Sequence, residues 1–297
     1  MGKKIRFGIL TIQNLPWEKE VEWWQFIEGL GFDSVWLADH YADPVNPSGN
    51  WFESWSLLAA LAVVTKKIRF GTLVTSIPLR NPAVLARQAL TIDHISNGRL
   101  ELGIGTGVHG RDPVYEMIGI EDWEGPERVK RFKEQIEVID RLLRQSVSNY
   151  DGQFYRLKEA KMNPAPVQKP RPPLTIAAMG DTMLKIAAQY ADTWNSYGST
   201  DWRAPVDIIF ENTKTRVELI DKYCEDIGRN PESLSHSMLF YSKNSLKIFK
   251  NEENFSKIVR QYQGIGIDEF IFYLPFYESE KRSVLNKVAE DIIPSLR

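Results

Sequence analysis

Short apolar runs with the composition of buried β-strands alternate with longer amphipathic segments along the whole chain. The first strand is predicted at Ile5–Leu10, and the helix after it at Glu18–Leu30, where apolar residues recur at helical spacing. The last helix is predicted at Ser279–Asp291. Strands that alternate with helices are typical of a parallel sheet with the helices packed outside it.

The pattern predicts eight β/α units. The further strands are predicted at Ser34–Asp39, Ile68–Ser76, Gly98–Gly107, Leu174–Gly180, Thr193–Ser196, Leu234–Ser242 and Ile267–Leu274. The helices between them are predicted at Phe52–Thr65, Pro82–Ser96, Pro126–Arg144, Thr182–Ala191, Val206–Ile227 and Asn254–Tyr262. Eight such units without a break in composition indicate an α/β fold, a closed (β/α)₈ barrel that spans residues 1–297 as a single domain. A doubly wound open sheet is the alternative, although that fold more often divides into two lobes.

Two connections are too long to be simple loops. Val108–Gly125 is an inserted segment after strand four, and Ser146–Pro173 precedes strand five. The second connection contains the sequence YDGQFYRL, which predicts a small hairpin outside the barrel.

Composition excludes several classes of function. With 37 basic and 39 acidic residues, the chain has no excess of charge for binding nucleic acid. No uncharged apolar run reaches the length of about 18 residues that a membrane span needs, and the N-terminus lacks the features of a secretory signal. The single cysteine, Cys224, lies in a helical pattern and is expected to be structural. We therefore expect a cytoplasmic protein that acts on a small molecule.

Polar residues at the ends of the strands predict a site at one mouth of the barrel. The carboxyl ends of barrel strands face the catalytic mouth. The residues at these ends are Asp39, His40, Thr75, Ser76, Thr106, Gly107, Met179 and Gly180. A histidine at a strand end is by itself more often structural than catalytic, so position alone does not decide the role of His40.

Two glycine motifs and four histidines are further candidates for binding a ligand or a metal. GIGTG at Gly103–Gly107 lacks the spacing of the dinucleotide fingerprint, so its glycines are expected to let a ligand or backbone come close. AMGDTM at Ala178–Met183 begins a helix; either Asp181 or Thr182 caps this helix, or its free N–H groups bind a phosphate. No pair among the four histidines has the spacing of metal ligands, so no metal is expected.

Three stretches in this order resemble the bacterial luciferase-like superfamily: VWLADHY, RFGTLVTSIPLRNPAVLARQALTIDHISNGRLELGIGTG and LTIAAMGDTMLKIAAQYADTW. Its members are TIM-barrel oxidoreductases that use FMN or the deazaflavin coenzyme F420. The resemblance covers roughly Ile5 to Trp194. It is closest to the F420-dependent branch typified by methylenetetrahydromethanopterin reductase, because Asp-His follows strand two and Arg-Asn-Pro-Ala follows strand three.

The resemblance implies a role for each matching position. Asp39 and His40 match a catalytic pair at the reactive edge of the ring; His40 would handle the proton, and Asp39 would bind the ring system or orient its neighbours. The matching cofactor-binding positions are Leu73, Val74, Ser76, Thr106, Gly107, Met179, Gly180, Thr182 and Met183. Leu73–Val74 matches a strand bulge with a cis peptide bond, and the last four positions match the turn that holds the cofactor phosphate.

Three functions stay open on these grounds. They are hydride transfer with reduced F420, FMN-dependent monooxygenation with a separate flavin reductase as partner, and flavin binding without catalysis. Val108 and His109 stand where the F420-dependent sugar-phosphate dehydrogenase has a catalytic acid, which argues against a sugar phosphate as substrate.

The substrate and the assembly are predicted only in outline. The many aromatic residues suggest an apolar or planar substrate, and Trp51 and Trp194 are candidates to flank a planar ring. His109 and Arg111, in the segment after strand four, either meet the acidic tail of F420 or belong to a lid. A homodimer or homotetramer is expected from the resemblance.

Overall fold

Parallel strands close into a ring, which confirms the predicted (β/α)₈ barrel. The computed structural model of the chain describes residues 4–107, 110, 112, 114–199, 201, 203–241, 248–274 and 279–296. Its strands are β1 (Arg6–Thr11), β2 (Ser34–Leu37), β3 (Arg69–Thr72), β4 (Thr75–Ser76), β5 (Leu100–Gly105), β6 (Val147–Asp151), β7 (Arg156–Lys161), β8 (Leu174–Ala177), β9 (Thr193–Ser196), β10 (Ser235–Phe240) and β11 (Glu269–Tyr273). The segments β3 and β4 act as one barrel strand, and the ring runs β1, β2, β3–β4, β5, β8, β9, β10, β11 and back to β1.

Helices cover the outside of this ring. They are α1 (Trp17–Gly29), α2 (Ser54–Val64), α3 (Pro82–Ile95), α4 (Val114–Met117), α5 (Gly125–Arg144), α6 (Asp181–Tyr190), α7 (Val206–Asp226), α8 (Glu252–Gln263), α9 (Ser279–Lys287) and α10 (Ile293–Leu296). A π-helical turn, Val288–Ile292, joins the last two, and short 3₁₀ turns lie at Ile77–Leu79 and Pro231–Ser233. No helix in the described ranges combines the length and the apolar character that crossing a bilayer requires.

Side-chain caps begin two of the helices that border the mouth. Asn81 accepts hydrogen bonds from the N–H groups of Ala83 and Val84 and so caps α3, with Pro82 at the first helical position. Glu53 caps α2 in the same way. These caps satisfy backbone donors that would otherwise lack partners.

The second long connection forms the predicted hairpin, and the first contains a short helix that was not predicted. Strands β6 and β7 pair antiparallel as a separate hairpin. The segment between β5 and α5 contains the short helix α4, whose Tyr115 is buried. Within this segment, His109 and Arg111 lie outside the described residues, so their predicted role stays a prediction.

Outward-facing residues of the strands pack against the helices, and one prediction fails there. Trp194 is fully buried in β9; its Nε1 donates to the carbonyl of Ala178 at 2.8 Å. Its ring meets the edge of His236, whose Nε2 lies 3.2 Å from Asp221 on α7. Trp194 therefore belongs to the layer between barrel and helices, and the prediction that it flanks a ligand at the rim is wrong.

Candidate active site

The carboxyl ends of the barrel strands surround an apolar floor. Buried side chains from β1, β2, the connection between β3 and β4, β10 and β11 form this floor, and three partly exposed residues pack against them. The floor consists of Leu10, Trp36, Leu73, Leu239 and Ile271, with Val74, Tyr197 and Tyr273 packed against them. Trp36 is fully buried and fills the barrel beneath the mouth. Such a surface suits a flat organic group rather than a charged one.

The strand between β3 and β4 breaks at Leu73 and Val74. The peptide bond between them is cis, which confirms the prediction for this position. Val74 stands over Gly105 of β5, and a Cβ at Gly105 would overlap the Val74 side chain. Both residues of the break therefore contribute to the floor, at the place where the sequence predicted the wall of a cofactor site.

Asp39 is held from several directions. Its carboxylate accepts from Ser54 Oγ at 2.5 Å and from Arg80 Nη2 at 2.5 Å and Nε at 3.1 Å. The N–H of Ser76 lies 3.4 Å from its second oxygen. Because Asp39 is buried and both its oxygens have protein partners, the structure places it as an anchor for the loops around the mouth.

Arg80 is bound to carboxylates on two sides. Besides Asp39, its Nη2 contacts Glu53 at 2.5 Å. Burial opposes the charge of Arg80, but the carboxylates of Asp39 and Glu53 outweigh burial and raise the pKa of the guanidinium. Arg80 is thus the bridge between the end of β2 and the start of α2.

His40 forms a pair with Asp112 at the rim. Its Nδ1 lies 2.7 Å from Asp112 Oδ2, and its side chain is 32% exposed, whereas that of Asp112 is 7% exposed. Trp51 Nε1 donates to the backbone carbonyl of His40 at 2.9 Å. A carboxylate on Nδ1 favours the tautomer with the proton there, which leaves Nε2 as the atom that can exchange a proton with a ligand.

Ser76, Thr106 and Gly107 meet the inserted segment. Ser76 Oγ hydrogen-bonds the hydroxyl of Tyr115 at 2.7 Å. Gly107 has φ +68°, and a Cβ there would lie 2.6 Å from the same hydroxyl. Arg128 of α5 donates to the carbonyl of Thr106 at 2.8 Å. Glycine is required at 107 both by its backbone angle and by this close approach.

The start of α6 offers free backbone donors. Gly180 is its N-cap residue, and no side chain of the described residues caps this helix. Asp181 instead contacts Lys185 at 2.8 Å and the Tyr223 hydroxyl. Met183 packs into the core, so only its N–H is available to a ligand, whereas Thr182 is exposed. The capping alternative is therefore not what the structure has, and the N–H groups can bind an anion.

Arg216 reaches the same turn from α7. It is half-buried, and it donates to the carbonyls of Met179 at 3.0 Å and Gly198 at 2.7 Å. Burial lowers the pKa of this guanidinium, with only the Tyr197 hydroxyl acting against the shift. Among the residues that the structure describes, no carboxylate forms an ion pair with Arg216. A cation without a counter-charge beside free N–H groups favours an anionic ligand.

Sequence reasoning found most of this mouth but missed Asp112 and Arg216. Asp112 lies in a segment without periodicity, and Arg216 lies within a long helix whose pattern signals only packing. The one available signal was that both are charged residues on elements that follow barrel strands.

A barrel whose mouth has an apolar floor, a histidine–carboxylate pair and an uncapped helix start can hold a planar group and move a proton beside it. Comparison of the sequence with protein-family profiles identifies the family of the chain. The profile of the family described as luciferase-like monooxygenase matches residues 5–237. The chain belongs to this family, as its motifs predicted.

Three relatives show what this chain is similar to. It is 27% identical to the F420-dependent glucose-6-phosphate dehydrogenase of Amycolatopsis mediterranei, over 91% of this chain and 92% of the relative. It is 34% identical to the 5,10-methylenetetrahydromethanopterin reductase of Archaeoglobus fulgidus, over 63% of this chain and 52% of the relative. It is also 27% identical to the oxygenase component of the flavin-dependent trigonelline monooxygenase of Acinetobacter baylyi, over 96% and 80% of the two chains.

Proposed function

We propose that the protein is an oxidoreductase that transfers a hydride between the deazaflavin coenzyme F420 and a small organic substrate. The hydrogen bond between His40 and Asp112 carries this proposal. Hydride transfer to or from a carbon–oxygen bond also moves one proton at the oxygen, and a histidine held by a carboxylate is suited to that step. The relative that aligns over 92% of its own length is F420-dependent by name, which supports the choice of cofactor.

The residues of the mouth fit such a cofactor. The ring would lie on the floor against Val74, where Gly105 leaves space for that side chain. The phosphate would meet the N–H groups at the start of α6 and the cation of Arg216. When bound, a deazaflavin supplies or accepts the hydride at carbon 5 of its ring.

Each polar residue then has a distinct task. His40 Nε2 gives or takes the substrate proton, while Asp112 holds Nδ1 and stabilises the imidazolium that forms. Asp39 fixes the loop that carries His40 through its bonds to Ser54 and Arg80. We propose Ser76, Thr106 and Gly107 as contacts to the ring or its tail, because they lie at the ends of the neighbouring strands.

A second candidate function is FMN-dependent monooxygenation with a separate flavin reductase. The observation in its favour is the similarity to an oxygenase component over 96% of this chain. The same apolar floor would shelter a reduced flavin from water.

A turnover assay with two arms, anaerobic with F420 and aerobic with FMN, tests the choice between the two functions. The protein is mixed with oxidised F420 and a panel of aliphatic and aromatic alcohols, and the loss of the deazaflavin absorbance is followed. We expect reduction of F420 by at least one class of alcohol, and no product when reduced FMN and oxygen replace F420. Oxygenated product with FMN, and no change of F420 with any alcohol, would favour the monooxygenase.

We further propose one cytoplasmic domain that forms a homodimer or homotetramer. Exposed Val63 on α2 and Val84 and Ile95 on the adjacent α3 support an interface on these helices. Light scattering coupled to size-exclusion chromatography measures the assembly directly, and a monomer would contradict it.

A further inference from the structure

An apolar pocket of about 250 Å³ lies at the carboxyl end of β10, between α7 and α8. Its walls are aliphatic and aromatic side chains from three elements. Those that matter here are Ile209 and Phe210 of α7, Met238 and Phe240 of β10, and Ile258 and Tyr262 of α8. A cavity of about 150 Å³ with a comparable lining binds benzene, so this one has room for an aromatic ring or a medium-length alkyl chain.

The pocket is continuous with the floor of the active site. Leu239 and Tyr197 line the pocket, and both also belong to the floor that includes Leu73 and Val74. One apolar surface therefore leads from the proposed ring site into the space between the two helices. A molecule that reacts above the floor can therefore extend into the pocket along an apolar surface.

The residues that line the pocket favour an uncharged ligand. Asp207 is the one charged residue of the described chain that lines the pocket, and it is exposed at the start of α7. Gln261 is likewise exposed on α8. Since the inner walls offer neither a cation nor a buried carboxylate, a charged group would lose its hydration there without compensation.

We propose that this pocket binds the uncharged hydrocarbon arm of the substrate, while the reacting carbon lies over the floor near His40. The proposal rests on the hydride transfer proposed above and specifies its substrate class as compounds with an aliphatic or aromatic arm. It predicts a binding preference that can be measured without turnover.

Binding of 1-octanol and 1-butanol by calorimetry tests the pocket directly. In the wild-type protein we expect 1-octanol to bind at least tenfold more tightly, because each buried methylene adds to affinity. Ile258→Trp fills the pocket and should abolish this preference. Ile208→Trp is the matched control, since Ile208 is exposed on α7 outside the pocket, and the preference should persist there.

A second variant covers the case in which Ile258→Trp does not fold. Gln261→Leu adds apolar surface at an exposed position and should tighten 1-octanol about threefold. No preference for 1-octanol in the wild type, or a preference that survives in Ile258→Trp, overturns the proposal, as does unchanged affinity in Gln261→Leu. Titration with F420 separates the two claims, because loss of the pocket should leave cofactor binding intact. A pocket that binds 1-octanol in a protein that never reduces F420 would refute the reaction alone.

Discussion

The two ends of the barrel interior differ in how their charges are satisfied. At the amino ends of the strands, Arg6 contacts Glu101 at 2.5 Å and Glu269 at 3.4 Å, and Arg69 also binds Glu101. Since β1 and β5 are not neighbours in the ring, the bond from Arg6 to Glu101 crosses the interior. At the carboxyl ends, the interior is the apolar floor and the charged groups stand around it.

This difference separates stability from function within one fold. At the amino end of the barrel interior, which we call the closed end, the charges are directed at one another across the barrel. At the carboxyl end, which we call the open end, three groups remain available to a ligand, namely Nε2 of His40, the N–H groups of α6 and the cation of Arg216. The closed end therefore serves stability, whereas the open end can bind and react.

The largest expected effect is on the closed end. Glu101→Gln should lower the free energy of unfolding by roughly 3 kcal/mol, the lower part of the range for a broken buried pair. The lower value applies because the side chains of Arg6 and Arg69 are 28% and 31% exposed. Denaturant unfolding measures this change. Glu127→Gln, which breaks an exposed pair with Arg131, is the control and should change stability by under about 0.5 kcal/mol. Equal effects of the two variants would refute the distinction.

At the open end, His40→Ala should lower kcat by roughly 10²-fold or more with little change in cofactor affinity or stability. The reason is that His40 is partly exposed, so its loss should cost little stability, and that in the proposed reaction its Nε2 gives or takes the substrate proton. Steady-state kinetics and cofactor titration measure the two quantities. Near-normal turnover would make His40 a structural residue.

Stability should depend on pH through the closed end. Burial raises the pKa of Glu269 to about 7. Arg6 acts against this shift, whereas the negative charge of Glu101 adds to it. A carboxyl whose pKa is higher when folded stabilises the protein while protonated, and this contribution is lost as the pH rises through about 7. The expected loss is about 1.4 kcal/mol between pH 6 and pH 8.

Unfolding curves at both pH values measure this loss. Glu269→Gln should flatten the dependence, while Glu253→Gln, at an exposed position of α8, should keep it. An unchanged slope in Glu269→Gln would show that another group titrates.

The smallest effect of a single residue is expected from Asp112. Asp112→Asn keeps an acceptor for His40 Nδ1 but removes the charge that stabilises the imidazolium, so kcat should fall about tenfold with KM nearly unchanged. Asp112→Glu should recover part of the loss. If both variants change only KM, Asp112 acts in substrate binding instead.

The barrel was predictable because its signal is local. Each strand and helix carries its own hydrophobic period, and Thr193–Ser196 was predicted with the bounds that β9 has. The ends of β2 and β5 were predicted two residues too far along the chain. They were predicted at Asp39 and Gly107, but β2 ends at Leu37 and β5 ends at Gly105. Beyond Leu37 the chain turns so that Asp39 meets Ser54 and Arg80, a contact that periodicity does not encode.

Only those residues of the site that directly follow a barrel strand could be predicted. His40 and Gly180 could be placed at the mouth because the barrel rule assigns strand ends to it. Asp112 and Arg216 come from an aperiodic segment and from the interior of a helix. Their approach to His40 and Met179 depends on how distant parts of the chain close over the mouth.

Paired anaerobic titrations with reduced F420 and reduced FMN, at fixed salt, test the central claim most directly. In the proposed function, the start of α6 and Arg216 would hold the phosphate that both cofactors share. We expect the charged tail of F420, which FMN lacks, to make further contacts at the rim. Gly180→Val tests the phosphate site. No described atom lies within 4 Å of an added Cβ, so the fold should tolerate the side chain, whereas a phosphate held at the start of α6 should be obstructed by it. The variant should weaken both cofactors. We predict that the wild type binds reduced F420 more tightly than reduced FMN; tighter binding of FMN would contradict the account and make the monooxygenase the leading function.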